Sequence, residues 1–230
     1  MDYTKTIKEL LNAKNIKIVN ERSDSLEVRI HKGSKKHFSI PLKITPDLAY
    51  LAACVICDGH LKKDKYRLVF EVADENVIKK FTNIYNKLFC ANEIYKIRNE
   101  KRTDRKTPYR IVINGKPVVI LFERFFEIPR GKKSHLVCVP NVIKESNTNI
   151  KSSFLAGVFD TDGGKRGKQL GLTSASKVFR DDLCLLINEF NVNPCKDQWL
   201  NKKNGKIYYG LRFAGVPKWS KGLESFDSHA

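Results

Sequence analysis

Two aspartates, each followed at once by glycine, sit in settings that could do chemistry: Asp58-Gly59 and Asp162-Gly163, 104 positions apart. Each closes an apolar string, Leu51-Ala52-Ala53-Cys54-Val55-Ile56-Cys57 before the first and Leu155-Ala156-Gly157-Val158-Phe159-Asp160-Thr161 before the second. A single Asp-Gly reads as a turn, because Asp bonds to nearby backbone and Gly frees the chain. Two copies in matched apolar settings need another cause. A carboxylate at a helix C-terminus meets the negative end of the dipole. Two such groups side by side repel by roughly 4 kcal/mol at about 4 Å and an effective dielectric near 20. A divalent cation between them reverses that sign, and Mg2+ prefers oxygen ligands of this kind. The pair therefore points to a shared centre for Mg2+ or Mn2+. Cys54-x-x-Cys57 invites a zinc or redox reading, but no second close pair supplies further ligands. Small core residues are the expected role of these cysteines.

The elements that must carry the acids follow from the same strings. Thr45 and Pro46 suit an N-cap and a first helical position. Leu48, Leu51, Ala52, Val55 and Ile56 recur at helical spacing, and Gly59 is expected to end the helix as a C′ glycine. Ser146-Asn147-Thr148-Asn149 introduces the second helix, which stops at Gly163-Gly164. Adjacent small residues, Ala52-Ala53 and Ala156-Gly157, let the two helices pack closely. Asp160 is expected to point away, capping or hydrogen-bonding, and is not a ligand candidate.

The two strings resemble the paired signature motifs of LAGLIDADG homing endonucleases, in the form with both motifs on one chain. The second string is a close match. In the first, Ala53 stands where Gly is usual and Ile56 where an acid can stand. The segment Gly131-Lys132-Lys133-Ser134 to Val139-Pro140 also resembles the linker of such enzymes. The resemblance covers residues 45 to about 219. It implies a site-specific endonuclease that hydrolyses one phosphodiester in each strand of double-stranded DNA. Asp58 and Asp162, with backbone oxygens near Gly59 and Gly163, would hold the metal ions. Lys116, just after the second hairpin, is the candidate for an assisting lysine, against the plainer reading of a surface lysine. An RNA-binding intron maturase, or a DNA-binding protein that does not cut, are the alternatives on the same scaffold. The retained acids favour the nuclease.

Composition agrees with a polyanionic partner. Lys and Arg number 43 against 25 Asp and Glu, a net charge of +18 over 230 residues. Apolar residues at 41% exclude a disordered basic tail. No apolar run approaches about 20 residues, so no membrane span is expected. The N-terminus lacks the apolar core of a signal peptide, and the scattered cysteines suggest reduced thiols; an intracellular monomer is expected. The chain opens on neither Cys nor Ser and does not close on His-Asn, so a free-standing protein rather than a self-splicing insert is expected.

The chain divides into an N-terminal α+β extension (1–44), a first half (45–145) and a second half (146–230). In the extension a short helix precedes strands at 16–19, 26–30 and 37–40. It is read either as a DNA-contacting arm or as a cover for a sheet edge. The fold expected is α+β: a pseudo-twofold tandem of αββαββ(α) halves whose antiparallel sheets form a DNA-binding saddle. In the first half a strand at 66–72, a helix at 74–89 and a hairpin at 93–98 and 108–113 precede a helix at 116–127. In the second, a strand at 169–174, a helix at 176–190 and a strand at 208–215 repeat the order. A third helix there is short or missing. Helices on one side leave the other side of each sheet open. Arg67, Glu71, Lys96, Arg98 and Arg110 in the first half, and Gln198, Tyr208 and Arg212 in the second, are expected to face the duplex from that side. The basic loop at 99–107 separates the strands of the second hairpin, at 93–98 and 108–113.

Overall fold

A computed structural model describes residues 3–12, 16–30, 36–97, 108–166 and 169–213. The chain begins with α1 (Thr4–Asn12) and three antiparallel strands, β1 (Ile16–Glu21), β2 (Ser25–Ile30) and β3 (His37–Pro41). Alternation buries Leu26, Val28, Phe38 and Ile40 on one side of this small sheet.

The first half follows: α2 (Pro46–Cys57), β4 (Gly59–Leu61), β5 (Arg67–Val72), α3 (Glu75–Phe89), β6 (Lys96–Ile97), β7 (Tyr109–Asn114) and α4 (Lys116–Ile120), which runs into a π-helical turn at Leu121–Phe125. Thr45 caps α2, its hydroxyl accepting from the Leu48 amide at 3.2 Å, with Pro46 opening the first turn. Asp74 caps α3 in the same way through the Asn76 amide at 2.8 Å. After the connector and its short α5 (Asn141–Lys144) comes the second half. It consists of α6 (Thr148–Asp162), β8 (Gly163–Arg166), β9 (Gln169–Ser174), α7 (Lys177–Asn188), β10 (Cys195–Asn201) and β11 (Lys206–Phe213).

The two sheets have the same plan. Their orders are β4-β5-β7-β6 and β8-β9-β11-β10, all antiparallel. Helices cover one side of each. The strands opening the sheets, β4 and β8, lie where the sequence offered only a three-residue Gly-His-Leu and a basic stretch. The place where a third helix of the second half is expected to be short or missing falls outside the described residues.

At the centre α2 packs along α6. Leu48 to Ile56 are all buried. The contact is closest at Gly157, where an added Cβ would come within 2.7 Å of the Tyr50 carbonyl oxygen and 2.8 Å of the Ala53 Cβ. One glycine at this crossing suffices. Its partner position tolerates Ala53, which explains the departure in the first string.

The motif glycines act differently from expectation. Neither is a left-handed C′ residue: α2 ends with Asp58 in the right-handed region, and Gly163 is extended at φ −78° and ψ 159°. The chain turns straight from helix into strand at each glycine. A Cβ on Gly59 would lie 2.5 Å from the Val55 Cα, and one on Gly163 would lie 2.5 Å from the Phe159 oxygen. Close backbone approach, not positive φ, requires glycine at both.

The extension settles on the helix layer. β3 lies against α3, β2 and β3 lie against α4, and α1 meets the π-helical turn, where Tyr3 and Phe125 contact edge to face. It therefore lies on the side opposite the open face of the first sheet.

Candidate metal centre and nucleic-acid face

The parallel ends of α2 and α6 deliver Asp58 and Asp162 to the same region. A cavity of about 720 Å³ opens beside Asp162, lined by Gly59, Asp162, Lys133, His60, Thr173 and Tyr208 among others, while Asp58 lies between the wall residues Cys57 and Gly59 and does not itself line it. Burial, and then the charge of Asp162, push the Asp58 carboxyl up to about 7. Asp58 is itself exposed, so solvent screens part of that effect and leaves the group reachable by an ion. Burial also raises Asp162, opposed by a hydrogen bond from the Cys57 thiol and by the charge of Lys133. Burial therefore favours the protonated form of both acids, with Lys133 opposing it.

One cation is already built in. Lys133, 7% exposed, donates its ammonium protons to the carbonyl oxygens of Ile56 and, at 3.1 Å, of Cys57. These are last-turn carbonyls of α2, so the charge sits where the helix dipole is negative. Burial pulls the Lys133 pKa down, while Cys57, Asp162 and Asp58 pull it up. Lys116 does not share this place. Its Nζ lies 5.3 Å from the centre of the Tyr66 ring, which the Arg130 guanidinium also approaches at 4.6 Å. Lys116 is absent from the cavity wall, and the lysine beside the acids is Lys133 instead. The sequence marked Lys133 only as part of the linker.

Asp160 is turned away, as expected. It accepts from the Tyr50 hydroxyl at 2.7 Å and from Lys80 at 3.0 Å, tying α6 to α2 and α3. Its counterpart, Ile56, is buried. Cys54 is buried and Cys57 partly so, and none of the six cysteines is in a disulfide. No group of three or more His, Cys, Asp or Glu able to hold a metal occurs among the described residues. The donor set is therefore two carboxylates with neighbouring backbone oxygens. That suits a hard divalent cation, which keeps several waters and takes further oxygens from a phosphate.

Register settles which side each sheet residue occupies. Glu71 pairs with Arg110, and Arg110 with Lys96, so these three share the open face with Arg67. Arg67 bonds to Asn114 at 2.7 Å, and Arg110 lies 3.7 Å from Glu71. In the second sheet Tyr208 pairs with Trp199, and Arg212 bonds to Asp197 at 2.9 Å, all on the open face. Gln198 pairs with Tyr209, the neighbour of Tyr208 on the opposite side. It is exposed at the edge strand but on the helix-bearing side, so it leaves the proposed interface. Arg98 and the loop at 99–107 lie outside the described residues. No helix among the described residues is long and apolar enough to cross a membrane.

Comparison with known proteins places this architecture. The family profile described as LAGLIDADG-like domain matches residues 45–125 and 149–216, one segment per motif. Among curated proteins, the replication factor C small subunit of Methanocaldococcus jannaschii is 30% identical over 203 residues, 88% of this chain and 10% of that protein. The probable translation initiation factor IF-2 of the same organism is 28% identical over 86% of this chain and 17% of its own length. The chain thus spans only a small part of these relatives. The probable cell division protein WhiA of Bacillus licheniformis is 27% identical over 70% of this chain and 51% of its own length. A solved structure of variants of the homing endonuclease I-DmoI is 19% identical with a TM-score of 0.55, over 74% of this chain and 89% of that one. I-DmoI in complex with DNA and Mn gives 0.53 at 19% identity, over 75% and 91%. The protein, with two motifs on one chain, belongs to the LAGLIDADG-like family.

Proposed function

We propose that the protein is a site-specific endonuclease that cuts both strands of a DNA duplex with divalent metal ions, Mg2+ or Mn2+, held between Asp58 and Asp162. The observation that carries this reading is the pair of acids at the ends of α2 and α6, beside a buried lysine. A protein that only bound nucleic acid would gain nothing from holding two like charges near each other. The basic residues of the open faces, Arg67, Arg110, Lys96 and Arg212, would neutralise phosphates and set the register of the duplex.

When bound, the metal ions would activate water and stabilise the leaving oxygen during in-line displacement. The chain's residues do the rest. Asp58 and Asp162, with backbone oxygens near Gly59 and Gly163, fix the ions. Lys133, anchored on the α2 carbonyls, supplies a fixed positive charge next to the phosphate that enters the cavity. Its position makes it a better candidate than Lys116 for easing the build-up of charge at the reacting phosphorus. Cys57 orients the Asp162 carboxylate by hydrogen bonding.

The test is cleavage of a randomised duplex library with Mg2+ by the native chain, Asp58→Ala and Asp162→Ala. Both variants are expected to bind recovered targets but not to cut them. Cutting that survives either change would remove the assignment. Selective binding of structured RNA or of duplex, with no cutting by the native chain, would replace the nuclease with a maturase or a non-cleaving binder.

A further inference from the structure

The turn that carries Lys133 displays a leucine beside the metal centre. Leu136 is 66% exposed, although it lies between two buried residues, Lys133 at 7% and Val137 at 5%. The turn is not free to bury it. The Leu136 and Val137 amides both donate to the Lys133 carbonyl, at 2.8 and 3.1 Å. Lys133 is itself held on the last carbonyls of α2, and the His135 Nδ1 donates to the Ala175 carbonyl at 3.1 Å. Leu136 lines the cavity that Asp162 also lines, together with Thr173, Lys206 and Tyr208 of the second sheet's open face. Single exposed leucines are common on protein surfaces and by themselves need no cause. This one is held in place, opens on the nucleic-acid side and shares its cavity wall with cations. Lys132 and Lys206 are exposed there, and neither is ion-paired among the described residues.

We propose that Leu136 is a wedge that enters a base step of the bound duplex beside the cut and parts two stacked base pairs. The proposal rests on the nucleic-acid reading given above. An exposed leucine gains free energy by meeting an apolar surface. The broadest apolar surfaces of a duplex are the faces of its bases, and a step must unstack to offer them. Aliphatic side chains part steps in this way and kink the duplex. Charge complementarity favours the same occupant: Lys132 and Lys206 can hold the phosphates that flank the opened step. The turn that holds Leu136 is the one that fixes Lys133 next to the proposed reacting phosphate. Insertion would therefore set the register of that phosphate against the acids, which makes Leu136 a positioning residue.

A duplex is selected from a randomised library by binding in Ca2+, so that its recovery does not depend on cutting. Bases across the bound region are then replaced one at a time by 2-aminopurine, whose emission rises when its step unstacks. A rise at one step is expected with the native chain, lost in Leu136→Ala and kept in Leu136→Met. With Mg2+, single-turnover cleavage by Leu136→Ala should fall roughly ten-fold. A mismatch placed at the responsive step should restore most of that loss, which a merely structural defect would not allow. Because the side chain is exposed, its removal should leave the thermal midpoint unchanged. No rise at any step of the native complex, or a rise that survives Leu136→Ala, would overturn the wedge and leave the nuclease reading intact. A rise that Leu136→Ala abolishes, in a native chain that never cuts, would keep the wedge and remove the nuclease. Failure to bind any duplex would overturn both.

Discussion

The first and second halves share a backbone plan but differ in their side chains. Both helices end in an acid and a glycine packed against its own preceding turn. Around that frame the first half has Ala53, Ile56 and a lysine on the last carbonyls of its helix; the second has Gly157, Asp160 and Thr161. Thr161 bonds the Gly157 carbonyl at 2.8 Å, so its hydroxyl serves the α6 backbone where Lys133 serves α2. The first open face carries Glu71, Arg110 and Lys96, whereas the equivalent positions of the second are Thr173, Gly210 and Asp197. Backbone pairing and the acids are held in common. Charge, helix packing and surface chemistry are divided between the halves.

The largest expected break in this comparison is at Lys133. Because no lysine among the described residues bonds the last carbonyls of α6, Lys133→Met should lower cleavage by roughly 10²-fold, measured as single-turnover rate, with duplex affinity little changed. A smaller effect would move the charge-stabilising role elsewhere. At the helix crossing the halves should respond unequally. Gly157→Ala forces a methyl against Tyr50 and Ala53 and should cost about 1–3 kcal/mol in denaturant unfolding. Ala53→Gly should cost about 1 kcal/mol or less. Equal costs would show that the crossing is symmetric after all. Tyr50→Phe removes the bond to Asp160 and leaves that carboxylate to Lys80. About 1 kcal/mol of stability should be lost, with no counterpart at Ile56.

The smallest effect concerns pH. Without metal, burial and Asp162 push the Asp58 carboxyl up to about 7 in the folded protein, from 3.8 in the unfolded chain, so the folded state is expected to hold this proton over part of that range. Between those values the folded state binds more protons, so stability is highest at the acid end and falls as pH rises towards 7. After solvent screening, about 1 kcal/mol or a 2–4 °C drop in thermal midpoint is expected. Asp58→Asn should flatten the profile, and Mg2+ at pH 7.5 should recover the lost midpoint. A flat native profile would show that Asp58 is not held protonated.

Much of the fold could be read from pattern. Helical spacing and caps located α2, α3 and α6, and strict alternation located β5. Strands β4 and β8 could not be located because pairings of three and four residues have no period, and both begin at a glycine. Reading Gly59 as a C′ glycine failed because a helix that turns directly into a strand needs room rather than unusual dihedrals. Gln198 was misassigned because exposure alone does not fix the side of an edge strand; only its pairing with Tyr209 does. Among the site residues, the acids announced themselves by repetition. Lys133 lies 75 positions from Asp58 in a polar connector, and nothing local distinguishes it from Lys132.

That connector is fastened at both ends. Gly131 donates to the Leu61 carbonyl at 2.8 Å, while further along Val137 accepts from the Ser176 hydroxyl at 2.7 Å and Val139 donates to Asp182 at 3.0 Å. The span that carries Lys133 is therefore a joint between the halves and not a passive tether. A hybrid that keeps residues up to 145 but takes its remainder from another member of the family would break the fastenings to Ser176 and Asp182. Such a graft could keep both acids and still misplace the lysine, so half-exchange should succeed best when the joint and its α7 anchors travel together.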